Sequence, residues 1–174
     1  MTDTAKATIT LILGGARSGK SSFGETFALQ TELTPLYIAT SQAYDNEMRT
    51  RILAHQEMRA AVWQTIEEPL ALAQTLKREA SPSRIILVDC LTLWISNLMM
   101  ADKDITREAA QLCDALPSLG GPVIFVSNEV GQGIVPDNAM ARAFRDHSGR
   151  LHQDIAALSD QVYFLTAGIA QRLK

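Results

Sequence analysis

The chain has 174 residues, 47% hydrophobic and 20% charged, with a formal net charge of −3. That balance fits one globular domain, residues 1–174, and is too apolar for a disordered chain. Mild acidity argues against a nucleic-acid binder that works through a basic face, and no apolar run is long enough to span a membrane.

Short β-branched runs alternate with helical patterns along the chain. Thr8 to Leu13 reads as a buried strand, almost without polar alternation. It runs directly into Gly14-Gly15-Ala16-Arg17-Ser18-Gly19-Lys20-Ser21, a full match to G-x-x-x-x-G-K-[ST]. Gly14 and Gly19 let the backbone turn tightly, so that its N–H groups converge on a phosphate. A helix over Ser21 to Gln30 adds the positive end of its dipole. Lys20 can reach the β- and γ-phosphates, and the Ser21 hydroxyl can hold Mg2+. A strand before the loop and a helix after it are the context that separates this motif from a chance glycine-rich turn.

Leu36 to Ala39 is the second strand, followed by Thr40-Ser41-Gln42. Asp45 then caps a helix over Asn46 to Arg59, on which Arg51, His55 and Arg59 recur every four residues and share one stripe. Guanidiniums on either side disfavour protonation of the imidazole, which keeps it neutral and nucleophilic. Such a group could attack a nucleotide α-phosphate, and the arginines could hold phosphate oxygens. A solvated bystander histidine is the other reading of the same spacing. Past Trp63, Glu67 could accept hydrogen bonds from a ribose or a guanine edge.

The pattern continues with a helix over Pro69 to Glu79, with Pro69 at its first position. A strand over Arg84 to Val88 follows, ending at Asp89, a candidate Mg2+ carboxylate or, alternatively, a cap for the next helix. Helices over Leu91 to Met100 and Thr106 to Leu116 precede a strand over Val123 to Ser127. A helix over Asn138 to Leu158 and a strand over Gln161 to Thr166 complete the set. His147 and His152, five apart on that last helix, fall on different faces and read as surface or interface residues. Trp63, Trp94, Met99 and Met100 read as packing. Cys90 and Cys113 form no CxxC or Cys/His cluster and read as reduced and metal-free. The opening MTDTAKAT has no apolar signal core, so a cytoplasmic location is expected. Strands alternating with helices predict an α/β fold: a mostly parallel, P-loop NTPase-like (RecA-like) sheet with helices on both faces and its ligand site at the carboxyl ends of the strands.

Four segments taken together, GGARSGKS, YIATSQ leading to the His55 helix, VDCLT and SNEVGQGIVPDN, with the tail ARAFRDHSGRLHQ, resemble the bifunctional adenosylcobinamide kinase and adenosylcobinamide-phosphate guanylyltransferase family of cobalamin biosynthesis. The resemblance covers nearly the whole chain, and NEVGQGIVP is far more specific than the phosphate loop. It implies two reactions. ATP or GTP phosphorylates adenosylcobinamide; GTP then guanylylates an enzyme histidine, from which GMP passes to the corrinoid phosphate. On this chain the resemblance puts the nucleotide at Gly14 to Ser21, Ala39, Thr40, Ser41, Gln56, Glu57, Met58, Arg59, Glu67 and Asp89. It puts the reactive histidine at His55 and Mg2+ at Ser21 and Asp89. It implies a homo-oligomer, a trimer in relatives. Some relatives carry a second histidine where Ala54 stands, and often Glu where Asp89 stands, one methylene longer. Glu129 is a candidate base for the acceptor hydroxyl, or a loop-ordering carboxylate. The corrinoid is expected over the open end of the sheet, on the loop Gly131 to Pro136, where Gly131 and Gly133 allow bending or close approach. Two alternatives stand beside this reading. One is a small-molecule kinase that is never guanylylated. The other is a GTP-binding switch, against which the missing N-K-x-D guanine pattern argues.

Overall fold

A computed structural model of the protein describes residues 7–42 and 61–174. Seven strands are formed: β1 (Ile9–Gly14), β2 (Thr34–Ala39), β3 (Gln64–Glu67), β4 (Arg84–Asp89), β5 (Val123–Asn128), β6 (Gln161–Thr166) and β7 (Ile169–Arg172). Their helices are α1 (Lys20–Leu29), α2 (Leu72–Glu79), α3 (Leu91–Met100), α4 (Ile105–Ala115) and α5 (Ala139–Leu158), with a 3-10 turn at Leu116–Ser118. One sheet takes the order β3-β2-β4-β5-β1-β6-β7. All neighbours pair in parallel except the β6–β7 hairpin.

The central strands read as unbroken apolar runs because both of their faces are covered. Leu11, Leu36, Ile38, Ile86, Val88, Val123 and Phe125 face one core with Trp94, Leu112, Leu151 and Ile155 of helices α3 to α5. The alternate residues Ile12, Tyr37, Ile85, Leu87, Ile124 and Val126 face a second core under α1, with Phe23, Ala28 and Leu165. Burying each large side chain contributes about 1.5–3 kcal/mol. Gly24 of α1 sits flush on this second face, where an added Cβ would lie 2.9 Å from Leu87 Cδ1 and 3.3 Å from Ile12 Cδ1. Close contact draws the start of α1, and with it Ser21, down onto the sheet.

Three expectations shift. Two short strands, β3 and β7, lie at the sheet's outer edges where the sequence shows no apolar alternation. Pro69 is not the first residue of α2; the helix begins at Leu72, and Glu68 organises its entry. That carboxylate accepts from Leu70 N at 3.0 Å, Ala71 N at 2.6 Å and the Thr75 hydroxyl at 3.0 Å. Met99 packs against the core, whereas Met100 is 68% exposed and does not pack. The helix expected over Asn46 to Arg59 lies outside the described residues. Among those described, no helix is long and apolar enough to cross a membrane.

Candidate active site

The loop between β1 and α1 folds as its glycines require. At Gly14 a Cβ would stand 2.5 Å from Leu165 O and 2.7 Å from Ser18 Oγ, so only glycine fits there. Gly19 has φ 94°, in the left-handed region, and places Phe23 N against its own carbonyl at 2.9 Å to start the helix. The loop's floor is the turn between β6 and β7. Gly168 N donates to Ser18 O at 2.9 Å, and its Cα would lie 3.3 Å from a Cβ on Gly19. Gly15, Ala16 and Arg17 form the exposed rim, while Ser18 and Lys20 are buried. Lys20 Nζ folds back into the loop, donating to Gly15 O at 2.5 Å and Ser18 Oγ at 3.4 Å. Burial lowers its pKa and outweighs the opposing pull of Asp89. A phosphate entering the loop would oppose that shift, because a nearby anion favours the charged ammonium.

Asp89, at the carboxyl end of β4, is not a helix cap. The N-cap of α3 is Cys90, and Asp89 instead turns toward α1. Its Oδ2 accepts from the Ser21 hydroxyl at 2.7 Å and from the Tyr37 hydroxyl at 2.7 Å. Ser21 donates its proton to Asp89, which leaves its lone pairs for a cation. A hydroxyl and a carboxylate are hard oxygen ligands of the kind Mg2+ takes together with substrate phosphates. The donor set therefore fits Mg2+.

Beside it, β2 and β3 bring the other expected contacts to the same edge. Ala39 pairs with both Asp89 and Glu67, and Glu68 N donates to Ala39 O at 2.9 Å. Glu67 is exposed and Ser41 half-buried. Thr40 is fully buried, and its hydroxyl faces inward. That hydroxyl donates to Cys90 O at 2.7 Å and accepts from Cys90 N at 2.8 Å. Asn97 of α3 donates to Thr40 O at 2.6 Å and to Pro69 O at 3.1 Å, tying the ends of β2 and β4 and the approach to α2 together. Cys90 is buried, which pushes its thiol up to about 11 and leaves it unreactive. Asp45, Arg51, Ala54, His55, Gln56, Glu57, Met58 and Arg59 lie outside the described residues.

The segment after β5 starts beside the phosphate loop. Gly14 and Asn128 are register partners, and Glu129 N donates to Gly14 O at 2.9 Å. The Glu129 carboxylate accepts from Gly131 N, a contact that orders the start of this segment. Asn128, which the motif reading left without a role, donates to the Thr92 hydroxyl at 3.1 Å. Neither Gly131 nor Gly133 has a positive φ, and a Cβ on Gly133 would meet nothing within 4 Å. Glycine there leaves open space rather than serving a turn. A cleft of about 480 Å3 opens between Gly131, Gly133 and Val135 on one side and Arg145, Arg150 and Gln153 of α5 on the other. His152 is not a surface residue as expected. It is 6% exposed, its Nε2 lies 2.7 Å from Ser127 Oγ, and burial lowers its pKa against the field of Glu129. A spacing of five residues hid this because His152 shares its face with the buried Ser148, Leu151 and Ile155.

Comparison with solved structures supports the fold. The flagellar accessory protein FlaH of Methanocaldococcus jannaschii matches with TM-score 0.53 and 12% identity, over 97% of this chain and 79% of that one. The PH0250 protein of Pyrococcus horikoshii OT3 matches with TM-score 0.59 and 10% identity, over 97% and 87%. With the full G-x-x-x-x-G-K-[ST] loop between β1 and α1, the mostly parallel sheet is P-loop NTPase-like. Sequence comparison reaches further. The bifunctional adenosylcobalamin biosynthesis protein CobP of Pseudomonas aeruginosa is 49% identical, over 94% of this chain and 96% of that protein. The bifunctional adenosylcobalamin biosynthesis proteins CobU of Escherichia coli and Salmonella typhimurium are 36% and 37% identical, each over 94% of this chain and 98% of the relative. A family profile described as cobinamide kinase / cobinamide phosphate guanyltransferase matches residues 10–173. With a phosphate loop and a carboxylate-hydroxyl pair already in place, these matches show that the chain belongs to the cobinamide kinase / cobinamide phosphate guanyltransferase family.

Proposed function

We propose that this chain phosphorylates the aminopropanol hydroxyl of adenosylcobinamide with ATP or GTP, and then transfers GMP from GTP to the product, giving adenosylcobinamide-GDP. The observation that carries this reading is the near full-length match to bifunctional relatives, at 49% identity over 94% of the chain. In the first reaction the corrinoid hydroxyl oxygen attacks the γ-phosphorus, and the nucleoside diphosphate leaves. The amides of Gly15 to Lys20 and the Lys20 ammonium hold the oxygens that gain charge, which is where most of the acceleration of phosphoryl transfer originates. Ser21 and Asp89 would hold Mg2+, which supplies charge neutralisation on the phosphates when bound.

In the second reaction an imidazole nitrogen of His55 attacks the α-phosphorus of GTP, and pyrophosphate leaves. An oxygen of the corrinoid phosphate then attacks the phosphorus of the histidine–GMP adduct and frees the ring. Dividing one displacement into two lets each be positioned separately. Ala39, Thr40, Ser41, Gln56, Glu57, Met58, Arg59 and Glu67 complete the nucleotide contacts in this reading. Thr40 would shape this edge from beneath, because it is fully buried, its hydroxyl is bound to Cys90, and its main chain is bound to Asp89 and Asn97. The corrinoid would lie on the segment Gly131 to Pro136 and in the cleft against α5, and the active assembly would be a homo-oligomer, a trimer by the same resemblance. GTP labelled at the α-phosphate tests the scheme. Acid-labile label should remain on the protein, be released by the corrinoid phosphate, and be absent from His55→Ala. Label retained in full by that variant, or corrinoid-GDP made without any labelled protein, overturns the histidine route.

A further inference from the structure

We propose that Tyr37 is a positioning residue that holds the Asp89 carboxylate in the orientation needed for a divalent cation. This rests on the reading that Ser21 and Asp89 hold Mg2+ beside a bound nucleotide. Tyr37 lies on β2, one strand away from Asp89, and is 3% exposed. Side chains of Tyr37, Ile85 and Leu87 share the α1 face of the sheet, and strand parity sends Asp89 to that face too. The phenol thus reaches Asp89 Oδ2 at 2.7 Å from the β2 side, while Ser21 reaches the same oxygen at 2.7 Å from α1.

Two donors on one carboxylate oxygen fix the plane of the group and turn the other oxygen away from them. Among the described residues no hydrogen bond to Oδ1 is formed. A phenylalanine would fill the same space, and its ring would keep the edge-on contact that Tyr37 makes with Trp63 at 5.9 Å. A hydroxyl at this depth costs free energy unless it is bonded. Its hydroxyl donates to the same carboxylate oxygen that accepts from the phosphate loop's serine. Ser21 has two duties, one toward Asp89 and one toward a cation. Tyr37 has no need to contact the cation, so it can keep Asp89 in place throughout. Partners of this kind behind a ligating carboxylate commonly change metal affinity by about 10- to 100-fold.

Tyr37→Phe in the full-length chain tests the assignment. The dissociation constant of a fluorescent GTP derivative would be measured with excess chelator and with saturating Mg2+, for wild type, Tyr37→Phe, Asp89→Asn and the double variant. Mn2+ spectra of the nucleotide complexes would report the cation directly. Expected is a roughly tenfold loss of the Mg2+-dependent gain in affinity, metal-free binding unchanged within about twofold, and an altered Mn2+ signal. Expected too is non-additivity, with little further loss from Tyr37→Phe once Asp89 is Asn. A full Mg2+-dependent gain in Tyr37→Phe overturns the assignment of Tyr37 alone. So does a parallel loss of metal-free binding, or an undiminished effect in the Asp89→Asn background. Wild-type nucleotide binding indifferent to Mg2+ would overturn both this inference and the reading of Ser21 and Asp89.

Discussion

At the phosphate loop, Lys20 and Ser18 are buried, each turn is fixed by a glycine or a main-chain bond, and Asp89 is held by two hydroxyls. A short way along the same sheet edge, past Glu129, Ile134 is 97% exposed, Val135 60% and Met140 66%, and Gly133 faces open space. Both regions begin at adjacent strand ends, β1 and β5. The difference teaches that the phosphate loop is assembled before any ligand arrives, whereas the other region offers apolar surface and room. A triphosphate is small and highly charged and is best met by fixed dipoles. A corrinoid is large, with broad apolar faces, and suits a wide, shallow receptor.

The contrast breaks most sharply at Lys20. Lys20→Ala should lower kinase turnover about 100-fold or more, the scale of removing one preorganised donor from developing charge. It should change thermal stability far less, because the lysine's bonds to Gly15 O and Ser18 Oγ stay within the loop itself. Steady-state kinetics beside a melting curve separates the two effects, and a collapse of stability would show that the lysine is structural. Gly133→Leu sharpens the other side. A Cβ at this position meets nothing within 4 Å, so folding and GTP affinity should hold while the KM for the corrinoid rises roughly tenfold, about 1.4 kcal/mol. An unchanged corrinoid KM would remove this loop from the binding surface.

The smallest expected effect concerns His152, which joins α5 to the end of β5. Its pKa is lowered in the folded protein, so near and below pH 6.5 the unfolded chain binds the proton more readily than the folded one. Stability therefore rises with pH across that window and is lost as pH falls through 6.5 and below. Melting temperatures over that range should slope less steeply in His152→Gln than in wild type. Equal slopes would mean that another group carries the titration.

The chain's own text gives the phosphate loop, the central strands and Asp89, because each depends on local spacing or a continuous apolar run. Strands β3 and β7 are not readable in it. QTIE and IAQR carry little apolar pattern and take their conformation from the neighbour they pair with. Tyr37 sits inside the quoted motif YIATSQ, yet its role appears only once β2 is in register with β4 and parity places its ring on the face of Asp89. The Ser127–His152 bond joins residues 25 apart, a separation that helix periodicity cannot relate to a strand. Glu68 displaced Pro69 as the organiser of α2 because a carboxylate can satisfy several main-chain donors and proline none.

The main-chain bond from Gly168 to Ser18 joins a late stretch of the polypeptide to an early one, and β1 itself pairs with β5 and β6. During synthesis from the amino end, the glycine-rich turn is made long before the hairpin that supports it. A growing chain on the ribosome therefore carries the triphosphate motif before the flanking strands and the supporting turn exist.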